Sequence, residues 1–480
     1  MRKNLYLCCL PSWTRKSEIK WGACGMSEWT WKIIDDLGQI VTGKTPSTKC
    51  PEYWDGDIPF ITPKDIQGTK HCEKTERYIT NAGSLSAGKV MLGRDAVCVS
   101  CIGNIGYVAM TTQNSVTNQQ INSIVVNDDH SNDYVYYLMK NLWGYFKTCE
   151  SQGTSVPILS KSLFSQIPVF VPTIALQRKI SAVLSVLDNK IELNHRLNDN
   201  LEAIAQALYD YWFVQFDFPD ENGKPYKSSG GKMVWNDKLK KEIPYGWAVA
   251  KISDVCDINS QSYQAREAWV HVEYLDTSNL TDNVISELTY INLKTESLPS
   301  RAKRKIQHLD ILFSSVRPNQ RHLGLILNPS SRLLVSTGFV VLTHRGDKTS
   351  PYMIYSIVKS EEVVQAMQKI GELATSAYPS IRPEDLASVQ FATPQSDVNL
   401  LASYDRAVAP LYQRMDNVKR EIKRLSKQRD FLLPLLMNGQ VQVRPQGELN
   451  YRLSLIFKLP NKNKKTFIQR SIFPQKLMHY

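Results

Sequence analysis

The chain has 480 residues, more than one ordinary hydrophobic core accommodates, so two to four domains are expected; its 42% hydrophobic and 22% charged residues are typical of a folded globular protein. No apolar run approaches the ~18 residues that span a bilayer, which argues against a membrane role. The net charge of +12 invites a nucleic-acid partner, but +4 of it falls in residues 1–25 and +7 in 449–480. That leaves +1 for the rest, so any DNA-binding surface must be a local patch.

Residues 1–25 show no periodicity. Arg2 and Lys3 precede an apolar stretch, 5–10, that is shorter than the ~7–15 residues of a signal-peptide core. Met26-Ser27-Glu28-Trp29 reads as a natural start, so 1–27 is expected to be a disordered or non-native extension. Residues 28–172 read as an α+β domain. The runs 58–62, 96–100, 107–110 and 121–126 are strand-like, and 133–146 places Val135, Leu138, Met139 and Leu142 on one helical face. A helical region follows over 173–216. Ile180, Leu184 and Leu187 mark one helix and Leu193, Leu197, Leu201, Ile204 and Leu208 a second, with Asp188 as a cap between them. Gly223, Pro225 and the Ser-Ser-Gly-Gly run at 228–231 make 217–243 a linker. A second α+β domain covers 244–394, with strand candidates 271–275, 311–316, 323–327 and 339–343 and a helix over 352–367. In the second helical region, 395–440, Leu411, Met415, Val418, Ile422 and Leu425 alternate at spacings of four and three, an a/d seam. Pro410 is expected in the first turn of that helix, and Pro434 and Gly439 at its end. A basic tail, 441–480, closes the chain.

The two halves repeat. Pro157, Leu159, Phe164, Ile167, Val169 and Pro172 recur 222 residues later as Pro379, Ile381, Leu386, Val389, Phe391 and Pro394. Each set leads from an α+β domain into a long helix. The fold class expected is therefore α+β and pseudo-twofold, with two similar domains separated by two long helical regions that pair as an antiparallel coiled coil. A helix of about 25 residues spans roughly 38 Å, close to the ~34–36 Å of one turn of B-DNA.

Residues 38–45, Gly-Gln-Ile-Val-Thr-Gly-Lys-Thr, match the phosphate-binding G-x-x-x-x-G-K-[ST] pattern, but Pro46 follows where a helix has to begin. A standalone P-loop NTPase is the enzymatic alternative, and Pro46 argues against it. No methyltransferase tetrapeptide or Gly-rich cofactor loop is visible, so the chain is read as non-catalytic, with no cofactor or metal of its own. Nine scattered cysteines suit a reducing, cytoplasmic setting. Cys98 and Cys101 lie in an apolar strand-like run and read as core residues. The aromatic run 208–216 reads as packing of a helix end. Basic and amide-rich loops supply candidate DNA contacts: Lys64, Lys70, Lys74, Asn104, Asn118, Gln119 and Gln120 in the first half, and Arg301, Arg304, Arg317, Asn319, Gln320 and Arg321 in the second. Arginine pairs with guanine, asparagine and glutamine with adenine, and lysine with phosphate.

Several strings resemble the specificity (S) subunits of type I restriction–modification systems. Trp31-Lys32-Ile33-Ile34-Asp35-Asp36-Leu37, continuing through Gly43 and Thr45-Pro46 to Asp57-Ile58-Pro59-Phe60-Ile61, is similar to the opening of a target recognition domain in that family. Ile167-Pro168-Val169 and Gln177-Arg178-Lys179-Ile180 resemble its entry into the first helical region. Tyr211-Trp212-Phe213-Val214 with Ile243-Pro244 and Gly246-Trp247 resemble the joining segment, and Leu432-Leu433-Pro434-Leu435-Leu436-Met437-Asn438-Gly439 the closing helix. The resemblance covers about 28–443. It implies two target recognition domains reading a bipartite site on double-stranded DNA, and a coiled coil that sets the spacer. It implies two modification subunits, binding S-adenosylmethionine, docked on the helices, and restriction subunits supplying ATP- and Mg-dependent cleavage. The other alternative is a coiled-coil scaffold without DNA recognition.

Overall fold

A computed structural model of the protein describes residues 28–88, 90–148, 157–346, 349–373, 379–394 and 398–441. The expected N-terminal extension, and the basic tail from 442 onward, lie outside the described residues. The described chain groups into two compact units, one built from 28–194 with 421–441 and the other from 195–420. Both mix helix and sheet.

In the first unit a five-stranded sheet runs in the order Gly38–Thr42, Ile121–Val126, Val97–Ser100, Val108–Thr111, His71–Cys72, antiparallel except for the last pairing. Both of its faces are covered. Val97 and Val99 point into a core with Ile124, Tyr134, Val135, Met139 and Phe164, whereas Cys98 points to the opposite face with Ile61, Leu92 and Ala109. Successive side chains alternate across a strand, so a strand covered on both faces reads as an unbroken apolar run. Cys98 and Cys101 consequently belong to different clusters. Burial raises the Cys98 thiol to about 11 and the Cys101 thiol to about 12, as befits core residues. A smaller sheet joins Arg77–Ile79, Trp54–Ile61 and Val116–Thr117, and Trp29–Ile33 pairs antiparallel with Pro168–Pro172.

The second unit repeats this plan. Ala248–Lys251 pairs with Gln390–Thr393 as Trp29–Ile33 pairs with Pro168–Pro172. A four-stranded sheet runs Cys256–Ile258, Phe339–His344, Ile311–Ser314, Leu323–Leu325, and another runs Thr289–Asn292, His271–Leu275, Leu333–Ser336, Ala302–Lys305. The helix expected over 352–367 is two, Pro351–Lys359 and Glu361–Glu372. Ser360 separates them, its hydroxyl accepting from Val363 N at 3.3 Å as a cap. The linker expected over 217–243 is more ordered than its composition suggests. Met233–Asn236 and Lys241–Pro244 form a hairpin, and Phe218 stacks between Tyr226 and Trp247 at 4.7 and 5.2 Å. The aromatic run before it packs as expected: Trp212 and Phe213 are buried against Tyr404 at 5.6 and 4.8 Å.

The long helices depart most from expectation. The first is continuous, Ile174–Tyr209, and the second is Val398–Met437. Their 36 and 40 residues correspond to about 54 and 60 Å at 1.5 Å per residue, not roughly 38 Å. Asp188 does not cap a break. It is buried mid-helix, with one carboxylate oxygen accepting from Tyr137 Oη at 2.7 Å and the other from Arg429 Nη1 at 2.8 Å. Pro410 lies well inside the second helix rather than in its first turn, so the Arg406 carbonyl lacks the N–H that would ordinarily bond it. Gly439, in the left-handed region at φ 65°, ends that helix as expected. Within the first unit the Asp188–Arg429 and Lys190–Glu421 pairs show that the two helices run antiparallel.

The seam is also shifted. Leu201, Met415, Val418 and Leu425 are buried, and Leu197, Leu208, Leu411 and Ile422 half-buried, but Leu193 and Ile204 are 59% and 49% exposed. The buried stripe of the first helix instead runs through Leu184, Asp188, Ile191, Asn194, Leu201 and Ala205. Polar residues at 188 and 194 hide it from a reading that follows apolar residues alone.

Candidate nucleic-acid interface

The pattern at 38–45 does not have the strand–loop–helix geometry of a P-loop in this fold. Its first five residues are a strand, Gly38–Thr42, and no helix starts after it. Gly43 N donates to Ile121 O at 3.2 Å and Lys44 N to Thr117 O at 2.9 Å. A Cβ at Gly43 would lie 2.2 Å from the Asn118 and Thr117 carbonyls, so the glycine is there for the close backbone approach. The Gly43 and Lys44 amides, which a P-loop would aim at phosphate, are already bonded.

The remaining candidates separate by what their side chains do. In the first unit Asn118 is buried and turned inward. Its Nδ2 donates to Gln120 Oε1 at 2.8 Å and its Oδ1 accepts from Gln120 N at 3.1 Å, closing a turn. Gln119 is exposed at the tip of that turn and accepts from Thr45 Oγ1 at 2.5 Å, so the 43–48 loop and the 118–120 turn share one surface. Lys64 is exposed, 3.6 Å from an exposed Glu76. Asn104 is exposed in the loop after Val97–Ser100, and Lys74 is exposed beyond His71–Cys72. Lys70, by contrast, is buried, 2.7 Å from Asp133 and 2.9 Å from Ser185 Oγ. It holds the sheet to the long helix.

In the second unit Arg304 is half-buried, its Nη1 bonded to Asn259 Oδ1 and the Phe339 carbonyl, and burial lowers its pKa. Arg321 donates to Asp282 Oδ1 at 2.7 Å, Glu361 Oε2 at 3.3 Å and the Lys359 carbonyl at 3.1 Å. Both guanidiniums are committed to the fold. Arg301, Arg317, Asn319 and Gln320 are exposed. Arg317, Asn319, Gln320 and Arg321 are brought together on one short loop, where Pro318–Gln320 is a 3-10 turn flanked by Arg317 and Arg321 in the left-handed region, at φ 49° and 53°. A non-glycine residue there costs about 1–2 kcal/mol. Arg301 lies apart from this loop, beside Ala302–Lys305.

Sequence reading missed an aromatic and basic cluster in the same unit. Trp269 packs against Tyr263 with tilted rings at 4.7 Å, and Lys305 and Arg332 lie over its ring at 5.6 and 5.1 Å. The exposed Tyr290 stacks on His271 nearby in the sheet. Alternating Trp269 and His271 were the available signal, but Arg332 is far from both in sequence.

Residues 26–203 match the family model of the type I restriction modification DNA specificity domain. The chain is similar in sequence and fold to specificity subunits of type I restriction–modification systems. It is 28% identical to the MjaIX specificity subunit of Methanocaldococcus jannaschii over 427 residues, covering 87% of this chain and 94% of that one. It is 35% identical over 187 residues to the HindI specificity subunit of Haemophilus influenzae, covering 38% of this chain and 40% of that one. The crystal structure of the S subunit from M. genitalium shares the fold, with TM-score 0.51 and 16% identity over 85% of this chain and 96% of that chain. No helix among the described residues is long and apolar enough to cross a membrane.

Proposed function

We propose that this chain is the DNA specificity subunit of a cytoplasmic type I restriction–modification complex, and that each half reads one part of a bipartite site on double-stranded DNA. The observation that carries this is the similarity to a specificity subunit over 94% of that protein's length, spanning both repeated halves. The chain supplies no catalytic residue and holds no cofactor or metal. Two modification subunits bring S-adenosylmethionine, and restriction subunits bring ATP and Mg. The candidate contacts to DNA are Lys64, Asn104, Gln119 and Gln120 in the first half and Arg301, Arg317, Asn319 and Gln320 in the second.

The exposed face of the first long helix supports docking of modification subunits. Val186, Leu193 and Ile204 are 46%, 59% and 49% exposed. The seven-residue spacing of Val186 and Leu193, both in the first unit, puts them within about 20° of one line at 100° per residue. A modification subunit docked on this face would cover them. Expressing the chain with and without its modification subunits in a host, and mapping methylated adenines across the genome, tests the reading. The expected result is a two-part motif with a fixed spacer that appears only when this chain is present. Methylation that is independent of the chain would overturn it.

A further inference from the structure

The smaller sheets of the two units are built on one plan. In the first unit Trp54–Ile61 lies between Arg77–Ile79, antiparallel to it, and Val116–Thr117, parallel to it. In the second, His271–Leu275 lies between Thr289–Asn292, antiparallel, and Leu333–Ser336, parallel. A tryptophan stands at the entry of each central strand. Trp54 is the first residue of one, and Trp269 lies two residues before the other. Both rings are held by neighbours. Trp54 is buried, edge-on to Phe60 at 5.3 Å, and its Nε1 donates to Ser47 O at 3.1 Å. Trp269 is half-buried and tilted against Tyr263 at 4.7 Å.

An arginine lies over each ring, and the two come from different strands. The Arg77 guanidinium carbon is 3.4 Å from the Trp54 ring centroid, and that of Arg332 is 5.1 Å from the Trp269 centroid. Arg77 opens the antiparallel neighbour, whereas Arg332 immediately precedes the parallel one. Among the described residues neither guanidinium has a hydrogen bond or an ion pair. Lys305, the other cation over Trp269, is by contrast paired with Glu267 at 2.8 Å. Lying on a ring uses the face of a guanidinium and leaves the N–H groups at its rim open to an acceptor. Arg77 is exposed and Arg332 half-buried, so both can be reached from solvent. Each also adjoins a surface already described. Ser47, which holds the Trp54 indole, is on the loop that reaches Gln119 through Thr45. Arg301 leads into Ala302–Lys305, the strand that pairs with Leu333–Ser336.

Two half-sites need share no bases, but both carry the same sugar–phosphate backbone. A device that recurs at the same place in both sheets, and is assembled from different strands, suits that shared chemistry. Resting on the reading of this chain as a DNA specificity subunit, we propose that Arg77 and Arg332 are equivalent phosphate contacts. Each is a guanidinium seated on a tryptophan that donates to the DNA backbone and fixes the register in which the loops of its unit meet the bases. The planar fork of donors fits the oxygens of a phosphate, and the ring beneath restricts its motion before DNA arrives.

The test compares wild type, Arg77→Met, Arg332→Met and the double variant in the full complex with modification subunits. Methionine keeps an unbranched stem to cover the ring and removes the donors and the charge. Affinity is measured against salt for a duplex carrying the mapped site and for one lacking it, at a temperature where every variant is folded. The methylated sequences are mapped alongside. Each single variant is expected to lose affinity about three- to tenfold for both duplexes alike, and to lower the slope of log K against log salt by about one. The double variant is expected to lower it by about two, with the methylated motif unchanged. The two single variants are independent, so either carries the test if the other fails to fold. Unchanged affinity and slope overturn the proposal, even in a variant that melts lower, because the arginine then only covers its tryptophan. A motif relaxed at one base pair with the slope retained also overturns it, because the contact is then to a base. A wild-type complex that binds both duplexes equally would fail the functional reading itself, a different result from all of these.

Discussion

His130 and Asp188 show how single residues in the first unit make stability depend on charge. His130 is buried, with Lys32 Nζ 2.9 Å from one ring nitrogen and Gln177 Nε2 3.0 Å from the other. Burial first, and the Lys32 charge second, lower its pKa below the ordinary 6.5, against smaller opposing effects of Gln177, Asp129 and Asp36. The folded state therefore refuses a proton that the unfolded chain accepts. Stability from this site is complete above about pH 6.5 and declines as pH falls below it. Thermal unfolding followed by circular dichroism is expected to show the loss between pH 6.5 and 5, and His130→Gln is expected to flatten it. The Asp188–Arg429 pair is a sharper test. Its side chains are 5% and 15% exposed, so Arg429→Met leaves a buried carboxylate with only Tyr137 as partner. A loss of about 3–5 kcal/mol is expected in chemical denaturation. Replacing both residues by leucine is expected to recover much of it, because desolvation then no longer opposes folding.

The two faces of the first long helix do different work. Leu201 is buried in the second unit's main cluster, whereas Leu193 is exposed two turns earlier. Leu201→Ala is expected to destabilise by about 2–5 kcal/mol. Leu193→Ala is expected to change stability by less than about 0.5 kcal/mol but to weaken co-purification with modification subunits. Equal effects of the two substitutions would remove the distinction between seam and docking face. The existence of both long helices was legible in the sequence, because 4–3 spacing survives in most turns. The break expected at Asp188 was not real, because the residues that make a mid-helix aspartate tolerable, Tyr137 and Arg429, are 51 and 241 positions away. Pro410 misled in the same way. A proline fits a first turn best, yet this helix continues through it.

Across the whole molecule, the repeat was the most legible feature because its residues do the same job twice: the Pro157 and Pro379 carbonyls each receive a loop amide. The candidate contacts were less legible. Arg304 and Arg321 look in sequence like Arg301 and Arg317, and only the fold brings Asn259, Asp282 and Glu361 to the first pair. For the proposed spacer, a seven-residue insertion placed in both long helices adds about 10 Å to each. The spacer in the methylated motif is then expected to grow by roughly 3 base pairs. An unchanged motif would separate helix length from site spacing.

The cysteines that proved to be core residues offer a use of their own. Cys72, Cys98 and Cys101 are buried in the first unit and Cys256 in the second. Burial pushes Cys72 and Cys256 up to about 12, as it raises the other two, so in the closed fold none offers a reactive thiolate at neutral pH. Alkylation at these positions therefore requires the surrounding unit to open. Mass-resolved alkylation of the native protein turns them into clocks, three timing the first unit and one the second. A partner or a DNA half-site that steadies only one unit would slow only that unit's clock.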